Sequence, residues 1–164
     1  MIMKNTRHHL SSPRRARGFT FIECAVTMFV ATTLMALAAP SFVKYTASQR
    51  LKTASYDLVA AMQLARSEAI KRNTSVDIVR IGSAWAGGWK VMAGGSTLRQ
   101  QDAYAQVNIT DSANLTKLTY SNDGRPSTST TTFKMQPVAS AGDVTAYCVK
   151  LALSGTASST LGGC

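Results

Sequence analysis

Between Phe19 and Ala39 the chain carries a single charge, Glu23, in an otherwise apolar run of Phe, Ile, Val, Leu, Met, Ala and Thr. As a helix rising about 1.5 Å per residue, that run measures roughly 30 Å, the thickness of one bilayer core. In hydrocarbon the backbone must satisfy its own hydrogen bonds, so a helix is the structure open to it. Arg14, Arg15 and Arg17 crowd against its start, separated from it only by Gly18. A secretory signal has a shorter apolar region followed by a small-residue cleavage site, whereas here the small residue comes first. A cut after Gly18 therefore leaves the helix on the mature chain. The basic cluster is expected to hold the N-terminus in the cytoplasm, with everything after Pro40 on the far side.

An ionisable group inside such a segment costs at least about 2.5 kcal/mol and is usually retained for a partner. Glu23 has two readings. The carboxyl either snorkels to the interface from near the helix start, or it pairs with the α-amino group that cleavage creates on Phe19 of the same or a neighbouring subunit.

Gly18-Phe19-Thr20-Phe21-Ile22-Glu23 resembles the class III leader junction of type IV pilins and type II secretion pseudopilins. The resemblance implies cleavage by prepilin peptidase after Gly18, N-methylation of Phe19, and a role for Glu23 and Phe19 in assembly. Pro40 sits where many pilins kink the helix. A second stretch, Leu64-Ala65-Arg66-Ser67-Glu68-Ala69-Ile70-Lys71-Arg72-Asn73, then Val76, Gly87-Gly88-Trp89 and Gly124-Arg125, is similar to the GspH/FimT family of minor pilins and pseudopilins. That family implies an α+β fold: one long N-terminal helix, membrane half plus amphipathic half, packed on a small, mainly antiparallel β domain. The expected divisions are a cleaved leader over 1–18, a transmembrane and assembly helix over 19–42, an amphipathic helix over 43–73 and a periplasmic β domain over 74–164. The expected location is the inner membrane, single-pass, then the pilus or pseudopilus. Partners would be other pilins or pseudopilins, met through the N-terminal helix, and prepilin peptidase.

The formal charge of +10 misleads if read whole, because Lys4, Arg7, Arg14, Arg15 and Arg17 belong to the leader; the remaining 13 basic and 8 acidic residues leave +5. His8 and His9 are lost with it, so the mature chain has no histidine. The rest suits one domain of about 90 residues, near the size at which a core just suffices.

After Pro40, Leu51, Ala54, Leu58, Ala61, Ala65 and Ala69 recur at helical spacing against Lys52, Ser55, Gln63 and Arg66, which predicts an apolar stripe packed on the chain's own sheet. Glu68 to Arg72 supports the last turn, and Asn73 is the expected stop. Short apolar runs then predict strands near 75–82, 88–93, 104–110, 115–121, 131–136 and 144–153. Asn122-Asp123-Gly124-Arg125-Pro126 reads as a turn, and Trp85 and Trp89 as part of a turn with Trp89 capping the core.

Cys24 lies in the membrane run and reads as a packing residue. Cys148 and Cys164 are the two cysteines on the exported side, where oxidation is favoured. A disulfide between them is the reading adopted, with Cys148 on the less apolar face of its strand, accessible to the tail. Two free thiols, or lipidation of Cys164, are the alternatives; Gly162-Gly163 lends the latter no support.

The residues point away from catalysis: the mature chain has no Ser-His or Cys-His dyad, and its acids form no paired motif. No Cys-x-x-Cys or Asp-x-Asp-x-Asp-Gly pattern suggests a metal, and no cofactor is expected. A second functional class is DNA binding in natural transformation, which the resemblance implies for some family members through basic residues around a late Ser-Gly-Arg. Here that position reads Ser154-Gly155-Thr156, and the candidate contacts are Arg125, Lys117, Lys134 and Lys150. Such contacts need clustered cations that displace counterions from phosphates.

Overall fold

The computed structural model describes residues 18–128, 130–138 and 144–164; the leader arginines and Asp143 lie outside the described residues. Helix α1 runs over Phe21–Arg72 with Pro40 inside it. Proline has no N–H, so the Ala36 carbonyl loses its intrahelical donor there. The chain divides into two compact units after Ala38. In the first, every described residue is exposed, the apolar ones included.

In the second unit α1 ends as Asn73 predicts. Asn73 takes a left-handed φ of 50°, its N–H donates to the Ile70 carbonyl (3.3 Å), and the Thr74 N–H donates to the Ala69 carbonyl (3.2 Å). This is the double bond of a Schellman cap. Glu68 accepts from Arg72 Nε at 2.6 Å. That hydrogen bond, more than the nearby charges, holds its carboxyl below the usual range.

Eight strands follow: β1 Val76–Arg80, β2 Trp89–Ala93, β3 Ser96–Gln101, β4 Val107–Asp111, β5 Lys117–Tyr120, β6 Thr131–Pro137, β7 Tyr147–Leu151 and β8 Ala157–Leu161. They form two antiparallel four-stranded sheets, ordered β3-β2-β1-β5 and β4-β6-β7-β8. A short 3-10 turn, Trp85–Gly87, joins β1 to β2. The sequence reading lacks β3 and β8 and sets several ends too wide. Leu153, inside the predicted 144–153 strand, lies beyond β7 and is 64% exposed.

One core is shared by α1 and the inner faces of both sheets. Leu51, Ala54, Leu58, Ala61, Met62, Ala65 and Ala69 meet Val76, Ile78, Val91, Leu118, Phe133, Met135, Val149 and Leu151. Both tryptophans are buried: Trp85 stands edge-on to Phe133 (5.1 Å) and donates from Nε1 to the Leu115 carbonyl (3.0 Å), while Trp89 lies against Tyr104 (5.7 Å). Ser55, expected on the polar face, is buried instead. Its hydroxyl accepts from Ser159 of β8 (2.9 Å) and donates to the Lys52 carbonyl (2.8 Å), which meets the cost of burying it.

At the C-terminal end of α1, two turns close over Arg66. Gly124 packs on Ile70 and the Arg66 stem, and Gly155, at φ +82°, lies against the Gly124 carbonyl. The Tyr120 hydroxyl donates to the Gly155 carbonyl (3.3 Å). Burial pushes its pKa up to about 12, against the opposing charge of Arg66. A Cβ on Gly155 would overlap the Gly124 carbonyl oxygen, whereas one on Gly95, at nearly the same φ, would meet nothing. Gly155→Ala should therefore cost about 2 kcal/mol more than Gly95→Ala, the shared φ strain cancelling in the comparison. Denaturant midpoints of the two variants measure the difference, and equal midpoints would refute close packing at this junction.

Candidate functional site

The N-terminal segment has a defined local geometry. Gly18, Phe19 and Thr20 precede α1 and are exposed, Phe19 at 74%. The Thr20 hydroxyl accepts the Glu23 N–H at 3.3 Å, and the Thr20 carbonyl accepts the Cys24 N–H at 3.1 Å. Thr20 is thus the N-cap and Glu23 the third helical residue, the Thr-x-x-Glu spacing of a capping box. The sequence reading missed this role, although the spacing was its signal. Glu23 also places a negative charge in the first turn, where the helix dipole favours one.

Beyond it the exposed apolar side chains continue through Phe42 and Val43. Thr27, Thr32 and Thr33 turn their hydroxyls back onto carbonyls three or four residues earlier, at 2.8 to 3.1 Å. That back-bonding removes free donors from an apolar surface. Cys24 is exposed with a free thiol. The helix is long and apolar enough to cross a membrane.

At the other end of the chain, Cys148 and Cys164 are joined in a disulfide, with Cα atoms 5.5 Å apart. Cys148 is fully buried, and what covers it is the tail expected from the sequence to reach it. It does point away from the core, since its neighbours Val149 and Leu151 fill the inner face. The tail adds β8 to the sheet beside it, Thr160 opposite Cys148.

The four candidate DNA contacts do not converge. Lys117 lies on β5, where it pairs with Asp77 (3.4 Å), and Arg125 lies in the Asn122–Pro126 turn near Asp123 (3.9 Å). Lys134 and Lys150 belong to the other sheet. Lys134 faces Cys148 and Lys150 faces Thr132 across the β6–β7 ladder, which sets the two lysines diagonally on the exposed face. Arg66, absent from the candidates, has Nε buried without a partner, 3.3 Å from where a Gly155 Cβ would stand. Among the described residues, no group of three or more His, Cys, Asp or Glu could hold a metal ion.

The family model described as type II transport protein GspH matches residues 54–155, well over half of the chain, and the prokaryotic N-terminal methylation motif matches residues 13–39. The chain belongs to the GspH family. Its fold is that of solved members of the pilin class. The type IV minor pilin FimU of Pseudomonas aeruginosa superposes with a TM-score of 0.59 at 22% identity, covering 73% of this chain and 92% of that one; a second crystal form of FimU gives 0.58 at 21%, covering 66% and 91%. The minor pseudopilin EpsH of the Vibrio cholerae type 2 secretion system gives 0.53 at 12%, covering 68% and 97%. A comparison with curated proteins returned no match.

The GspH match begins on the core stripe of α1 and stops at Gly155, in the turn that closes over Arg66. Strand β8 and Cys164 follow it. The disulfide closes a loop of sequence separation 16, which by chain entropy is worth on the order of 3 kcal/mol. Cys164→Ser should lower the melting temperature of the folded domain by about 5 °C or more. The Cys148 thiol thus freed should label slowly until β8 detaches. An unchanged melting temperature, or two reactive thiols in the native protein, would show that the tail is not stapled.

Proposed function

We propose that this GspH-family chain is a structural subunit of a type IV pilus or type II secretion pseudopilus, processed at Gly18–Phe19 and inserted into the assembly through α1. The observation that carries the reading is the pairing of an uncapped apolar surface with a capped start. From Phe21 to Val43 the large side chains lie open, while the scissile peptide stays outside the helix with Glu23 one turn away. Cleavage there creates the α-amine on Phe19, and Glu23 of the same or a neighbouring subunit neutralises it in the apolar layer. Before assembly the helix anchors the subunit in the inner membrane, with the leader arginines cytoplasmic and the β domain periplasmic. FimU is a minor pilin and EpsH a minor pseudopilin, which fits a place for this chain at or near the fibre tip, where few copies suffice.

Mass spectrometry of the membrane-extracted protein should find a chain beginning at N-methylated Phe19, and a bulky residue at Gly18 should leave the leader on. Glu23→Val should still enter the membrane but not fibres. An intact leader in peptidase-positive cells would sink the processing step. Normal incorporation of Glu23→Val would leave the carboxyl only its snorkelling and capping roles.

DNA uptake is the second reading, supported by Lys134 and Lys150 sharing one sheet face and by Arg66 standing beside Gly155, where the family's arginine is missing. In a gel-shift salt series the wild type should bind DNA with a steep salt slope, and Lys134→Ala with Lys150→Ala should flatten it by about two phosphate contacts. An unchanged slope removes this reading.

A further inference from the structure

We propose that the end of the β domain nearest the membrane is a seat for phospholipid headgroups, with Arg50 as the phosphate ligand. The inference rests on the reading of α1 as a membrane anchor and concerns a surface that reading leaves unused.

The hydrogen bonds fix which end of the domain this is. Gly155, at the start of the β8 hairpin, lies against Arg66, while Ser159 bonds Ser55. Strand β8 therefore runs antiparallel to α1, and Leu161 falls beyond Ser55 toward the earlier turns of the helix. In the same sheet β4 begins, β6 ends, β7 begins and β8 ends on this side, as the pairs Val107–Pro137, Met135–Tyr147 and Tyr147–Leu161 require. Backbone bonds continue the rim past the strands: the Val138 N–H donates to the Gln106 carbonyl (3.2 Å), and the Gly162 N–H to the Ala146 carbonyl (2.8 Å). Its loop 102–106 is tied to the helix by the Tyr104 hydroxyl, which donates to Asp57 at 2.7 Å.

Two properties of the rim suit a headgroup layer. First, it exposes large apolar side chains where a soluble domain gains nothing by doing so: Val138 is 65% and Leu161 62% exposed. Second, a cavity of about 370 Å³ opens there, lined by Gln49, Arg50, Thr53, Ala103, Tyr104 and Ala105. Arg50 is exposed and makes no ion pair among the described residues. Of the described acids nearby, Asp57 is engaged by Tyr104 and Asp102 accepts from Gln100 (3.2 Å). A guanidinium over an amide, a hydroxyl and a small apolar floor matches a phosphodiester oxygen with its glycerol side.

The depth agrees. The exposed apolar stretch of α1 ends at Val43, where Lys44 and the exposed Tyr45 supply the cation and aromatic ring that favour an interface. From Val43 to Arg50 the helix rises about 10 Å. A headgroup layer adds roughly 5 to 8 Å beyond the hydrocarbon on each side. The arginine thus stands at the outer edge of that layer, within reach of phosphates by its own side-chain length.

The full chain in nanodiscs of phosphatidylethanolamine and phosphatidylglycerol tests this, with amide signals read by NMR. A spin label on the lipid headgroup should erase the signals of Ala105, Val138 and Leu161 and spare Asn122 and Gly124 at the opposite end. An acyl-chain label should erase those of Phe29 to Met35. Arg50→Glu should bring back the rim signals under the headgroup label, and Val138→Asp should do so in part. If the acyl-chain label acts while the rim signals survive in the wild type, the headgroup seat is refuted and the anchor stands. If neither label acts, both fall. Rim loss that persists in Arg50→Glu refutes the phosphate role of Arg50.

Discussion

A backbone that enters hydrocarbon must hydrogen-bond to itself, and α1 is long and apolar enough for that constraint to bear on it. Between Phe21 and Val43 the chain is a single helix whose threonine hydroxyls fold back onto carbonyls of the preceding turn. Its costly points are the ends and the proline. Thr20 covers one of the N-terminal donors by accepting the Glu23 N–H, so the residue that carries the segment's one charge also belongs to the cap. An acid at this position is less anomalous than its hydropathy suggests, because the first turn of a helix is where a carboxylate is stabilised.

Past Val43 the same helix changes its surroundings. From Leu51 onward its buried face carries Ala54, Ala61, Ala65 and Ala69 between Leu51, Leu58 and Met62, and small residues on that face let two sheets approach closely. Closeness is also the theme of the glycine junction. Gly124 and Gly155 touch without side chains over the Arg66 stem, and three elements distant in sequence meet there. The buried Nε of Arg66 remains unpartnered, a cost the junction bears for its tight contact.

Legibility in the sequence followed the strength of periodic burial. The helix stripe, its stop at Asn73 and the strands β1, β2, β4, β5, β6 and β7 are all readable, because each element sends a regular row of apolar residues into the core and the stop carries its own signal. Strands β3 and β8 are not. Ser96–Gln101 and Ala157–Leu161 are edge strands of mostly exposed polar residues, held by ladder bonds and not by apolar faces. For β3 the missed signal was Gly94-Gly95, a two-residue link with positive φ at both positions, the hairpin turn that such pairs favour. Tyr104, inside the predicted 104–110 strand, lies before β4 and serves as a loop anchor. Burial, then the Asp57 bond, raise its pKa above the ordinary phenol range. Ser55 shows the limit of residue-type reasoning: its partner Ser159 is 104 positions away, and no local pattern announces it.

Strand β8 carries this limit to its physical end. It buries little, so the ladder to β7 alone would leave it among the first elements to open. Two devices hold it, and they act on opposite sides of the folding equilibrium. The Ser55–Ser159 bond stabilises the folded state by joining β8 to the helix. The Cys148–Cys164 bridge acts mainly on the unfolded chain by removing conformations from it. For a domain near the lower size limit of a self-sufficient core, a covalent restraint is the more economical of the two, since it needs no further apolar surface. Its placement on the outer face costs the core nothing: Val149 and Leu151 stay inward, and the sulfur of Cys148 is covered by the very tail it secures.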